Sequence, residues 1–68
     1  MAMDGFTLVG QRVRARRTVE QAPLDSAPAV PRSTVGHVED FDDLAELYAV
    51  DFGDPYGVVL CGRDEIDP

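Results

Sequence analysis

The chain has one cysteine (Cys61), one histidine (His37), no lysine, and no apolar run near the ~18 residues that a membrane span needs. Each shortage excludes something. One cysteine rules out a disulfide within the chain. One cysteine and one histidine together rule out a zinc site built from those ligands in a single copy. A reducing compartment fits this usage. The start, MAMDGFTLVG, lacks the basic residues and following apolar run of a secretory signal, so the expectation is a cytoplasmic protein with no membrane contact. Also missing are a phosphate-cradling glycine loop, a nucleophile elbow, a histidine pair and a paired-cysteine motif. No catalytic apparatus is recognisable, the chain reads as a non-enzyme, and neither cofactor nor metal is expected.

What is present is short and strongly charged. A chain of 68 residues forms one domain at most, and such a domain buries only about 60% of the surface its unfolded form exposes. Apolar residues make up 44%, enough for a core, but no disulfide or metal cluster staples it. A protein partner or a second copy is therefore expected to help. The formal charge of −7 is divided unevenly: residues 1–38 carry five arginines and three acids (+2), residues 39–68 one arginine and ten acids (−9).

The apolar pattern alternates. In VGQRVRARRTV, Val13, Ala15 and Val19 share one face while Arg12, Arg14, Arg16 and Thr18 share the other, which predicts a half-buried strand, with a helix as the competing reading because Arg and Ala are good helix formers. Residues 20–33 hold three of the five prolines without periodicity and read as a long loop, after a loosely held start at residues 1–8. TVGHVEDF predicts a second strand, with Gly36 allowing a bulge, a sharp coil or a close backbone approach. LYAVDF places Tyr48, Val50 and Phe52 on one core face. The spacing of Asp43 and Glu46 also fits a capping box, so a short helix from Asp43 is the competing reading there. GDP reads as a turn, YGVVLCG as a fourth strand, and RDEI as a single turn that returns Ile66 to the core. The expectation is an all-β domain over residues 1–68: a small SH3-like antiparallel barrel of about five short strands with a long loop after the first.

Candidate sites are few. Histidine is the residue type best suited to acid, base or ligand roles near neutral pH, but nothing completes a catalytic set around His37, and it reads as a bystander on an outer or boundary face. Cys61, in an apolar strand, reads as an inert packing residue. The acids of EDFDD, with Glu46, Asp51 and Asp54, lack the spacing of a calcium loop and read first as a solvated face, with a weak divalent site or a docking surface for a basic partner as the alternatives. The sharpest charge feature is Arg12, Arg14 and Arg16, which at strand spacing line about 13 Å of one face. Pairing with Glu39, Asp40 or Asp51 is the first reading of this stripe, contact with a protein the second, and nucleic acid the third.

VGQRVRARR, the proline-containing loop, PRSTVGHVE and LYAVDF together resemble the C-terminal SH3-like domain of nitrile hydratase beta subunits, over roughly residues 8–60. The variable chain of ferredoxin-thioredoxin reductase is less similar. The resemblance implies a subunit or accessory role, because in nitrile hydratases the metal and its cysteine ligands belong to the alpha chain and the beta chain packs against it. Arg12, Arg14 and Arg32 match basic positions of that outline. The chain departs from it in lacking the large helical N-terminal part, and in carrying PLDSAPAV where the family has a histidine-threonine-arginine stretch. The functional expectation is a non-catalytic protein-binding module with Arg12, Arg14, Arg16 and Arg32 as its contact residues. The alternative is a nucleic-acid-associated regulator of the kind phages or mobile elements encode, or an acidic mimic of nucleic acid.

Overall fold

Apolar side chains at every second position decide where the strands form. The structure, a computed structural model, describes residues 5–20 and 28–68. Five strands run in the order β1 (Arg12–Ala15), β2 (Val35–Asp42), β3 (Leu47–Asp51), β4 (Val58–Gly62) and β5 (Ile66–Asp67). All pairings are antiparallel, and the sheet order is β4-β3-β2-β1-β5. The fold is all-β, and no helix among the described residues is long and apolar enough to cross a membrane.

The inner face carries Val13 and Ala15 of β1, Val38 of β2, Tyr48 and Val50 of β3, Val59 and Cys61 of β4, and Ile66 of β5, all buried in one cluster. Each fully buried valine is worth about 1.5–3 kcal/mol relative to exposure. No helical layer of the described residues covers this face; Leu8, Val19, Val30 and Phe52, which lie outside the five strands, complete the buried cluster. No ladder joins β4 to β5 among the described residues; the three-residue turn Arg63–Glu65 carries the chain between them and delivers buried Ile66. Gly62 N donates to Glu65 Oε1 across that turn at 2.8 Å.

Gly36 is the tightest point. A Cβ there would lie 2.7 Å from both Phe52 Cδ1 and Val50 Cγ1, so the missing side chain admits the Phe52 ring. Of the roles open to this glycine, close approach is the one it fills. The bulge lies further along β2, between Val38 and Asp40, where Val38 pairs with Val50 but Asp40 with Ala49. One extra residue shifts the alternation, and Phe41 faces inward, stacked on Tyr48 at 4.6 Å and met edge-on by Phe6 at 5.1 Å.

Two elements differ from expectation. β1 stops at Ala15: Arg16 N still donates to Glu65 O, then the chain bends, and Val19 forms an isolated bridge with Val30. Val30, inside the expected loop, is fully buried; residues 21–27 of that loop lie outside the described residues, as do residues 1–4 of the start. No helix begins at Asp43. Asp42 Oδ1 accepts from Leu44 N (3.0 Å) and Ala45 N (3.2 Å), closing a tight turn between β2 and β3 instead.

Candidate functional site

The outer face of β1 is where charge collects. Arg12 stands opposite His37, and Arg14 lies between Val35 of β2 and Asp67 of β5. Arg16 follows just past the strand. Arg32 joins them because the turn Pro31–Thr34 folds against the end of β1. Ser33 N donates to Ala15 O at 2.8 Å, Ala15 N donates to Thr34 O at 2.9 Å, and Ser33 takes a left-handed φ of 76°. Thr34 Oγ1 donates to Pro31 O at 2.7 Å and holds the turn. All four arginines are exposed.

They rim a trough. A shallow depression of about 270 Å³ is lined by Arg12, Arg14, Val35 and Asp67. It shares Arg12 and Val35 with a second that reaches His37 and Asp51, and Arg14 and Asp67 with a third that reaches Arg16, Arg32 and Ser33. The floor includes Val35, an apolar side chain left 47% exposed.

Internal pairing, the first reading of the arginine stripe, is not what the structure shows. Among the described residues no carboxylate lies within ion-pair distance of Arg12, Arg14, Arg16 or Arg32. Register explains why. Asp40 pairs with Ala49 beyond the bulge, and Glu39 precedes it past the end of β1, while Asp51 is separated from Arg12 by His37. The arginine that does pair among the described residues is Arg17, whose Nη2 lies 3.0 Å from Asp64 Oδ2. Sequence reasoning missed that pair, since the two are 47 residues apart and no pattern joins them. It also missed Val35, which alternation does signal: with Gly36 and Val38 inward, Val35 must face out.

His37 is exposed on the outer face with Arg12 and Asp51 as cross-strand neighbours. Cys61 is fully buried, its thiol 3.7 Å from Val59 O, and burial, with Glu65 adding to it, pushes its pKa up to about 11. Among the described residues, no three His, Cys, Asp or Glu side chains come together as a metal set.

Comparison with family models, curated proteins and solved structures finds no match to this chain. None of these comparisons supports the expected likeness to nitrile hydratase beta subunits; the five-stranded antiparallel sheet is compatible with a small β fold.

Proposed function

We propose that this chain is a non-catalytic protein-binding module that uses the trough of Arg12, Arg14, Arg16 and Arg32 to hold an acidic segment of its partner. One observation carries the reading: four exposed arginines line two adjoining depressions that share Arg14 and Asp67, and none has an ion-pair partner among the described residues. Guanidinium forks match carboxylates bidentately, and partly desolvated pairs of this kind are worth more than isolated surface pairs. A role as a small subunit or accessory of a larger assembly, as in the nitrile hydratase beta chain, fits such a surface. The same array could follow phosphates, but a net charge of −7 opposes the approach of nucleic acid.

The test is capture of the partner from cells that make the chain, with wild type, R14E/R16E and Arg17→Ala as baits. A stoichiometric protein retained by wild type and Arg17→Ala but lost with R14E/R16E is the expected result. A chain that recovers no stoichiometric protein from those cells would count against the reading. Binding to duplex DNA that falls steeply between about 50 and 200 mM salt would replace it with the nucleic-acid reading.

A further inference from the structure

We propose that the turn between β2 and β3 of one copy seats in the arginine trough of a second copy, so that the chain associates head to tail. This rests on the reading of the trough as a protein-contact surface and names one occupant for it.

The occupant is argued from complementarity. Glu39, Asp40, Asp42, Asp43 and Glu46 give the turn and its approach five acids and no basic residue, all exposed. Asp40 and Asp42 spend one oxygen each on backbone N–H groups, whereas Asp43 and Glu46 have no hydrogen bond or ion pair among the described residues. At the tip Leu44 is 95% exposed, the most exposed large apolar side chain described. The trough mirrors this: four arginines against two carboxylates (Asp67 and, at its far end, Asp51), and the half-exposed apolar Val35. An apolar knob ringed by acids matches an apolar floor ringed by guanidiniums.

Geometry sets the mode. Val35 beside the trough and Asp42 at the tip are the two ends of β2, seven residues and therefore about 23 Å apart. A copy cannot reach its own trough, so the contact joins unlike surfaces and propagates unless a ring closes. The same distance answers the objection that two chains of −7 repel. At ~0.1 M salt the screening length is about 10 Å, so the trough presents its own sign to an approaching tip while the distant acids are damped.

Sedimentation velocity of the full chain at ~0.1 M NaCl, from about 10 μM to 1 mM, tests this across the weak-affinity range. The mean mass should rise with concentration and fall back at about 0.5 M salt, where screening shortens further. R14E/R16E removes the trough and D43N/L44S the tip; all four positions are exposed, and circular dichroism checks that both variants fold. Each alone should lose association by roughly tenfold or more. Mixed in equal amounts they restore one intact interface, and a capped dimer should form with nothing larger. A wild type monomeric throughout overturns the proposal, and if it still captures a partner through Arg14 and Arg16 the proposed function stands without it. Association that survives both variants but disappears in Leu60→Lys would assign the contact to the exposed edge of β4 and equally overturn it.

Discussion

The two faces of β1 and β2 ask different things of a side chain. Inward, Val13, Ala15 and Val38 are buried and Gly36 has no room for even a methyl group. Outward, Arg12, Arg14, Val35 and His37 are exposed on the same two strands, one residue out of step. One face is fixed by volume and the other by charge. Substitutions should therefore separate cleanly into those that change stability and those that change association.

The largest effect is expected at the point of closest approach. Gly36→Val forces its side chain into Phe52 and Val50, and overpacking of this kind costs about 1–3 kcal/mol, or roughly 5–20 °C in Tm for a chain this short. Thermal unfolding followed by circular dichroism reads it directly; an unchanged Tm would mean that the inner face is not packed as described. Val50→Ala removes two buried methyl groups and should cost about 2 kcal/mol in a urea titration, while partner capture below the transition stays as in wild type.

A pH effect of intermediate size belongs to the same inner face. The Cys61 pKa rises from 9.0 to about 11 on folding, so the fold favours the neutral thiol. That contribution is full below pH 9 and is lost between pH 9 and about 11, where the unfolded chain ionises first. At pH 8 the native protein holds roughly a hundredfold less thiolate than an ordinary thiol, and alkylation should be slowed at least that much until urea releases the side chain. Rapid labelling of the native chain would place Cys61 outside the core.

The smallest effect is expected on the outer face. Arg17 and Asp64 are 59% and 73% exposed, so Arg17→Ala should change stability by no more than about 0.5 kcal/mol and leave association alone.

These contrasts follow what the sequence makes legible. Tyr48, Val50 and Phe52 announce the inner face of β3 because nothing interrupts their alternation, and Ile66 and Cys61 are equally readable from apolar context. The end of β1 is not, because it depends on where Glu65 and β5 stop supplying bonds to Arg16. The free state of Arg12, Arg14 and Arg16 was hidden for a related reason. A stripe and a supply of carboxylates are visible in the letters, but whether they meet depends on cross-strand register, and the bulge after Val38 moves that register by one. Arg32 could be named as basic, yet only the left-handed Ser33 puts it beside Arg16.

That single extra residue makes β2 behave like a reading frame. Before it, even-numbered residues point to the core; after it, odd-numbered ones do, so Phe41 rather than Asp40 meets Tyr48. A one-residue change that left the bulge in place would put the two ends of β2 out of step, whereas loss of the bulge residue itself would restore plain alternation and keep Phe41 inward. A change of one residue in this strand is thus tolerated only where the bulge absorbs it.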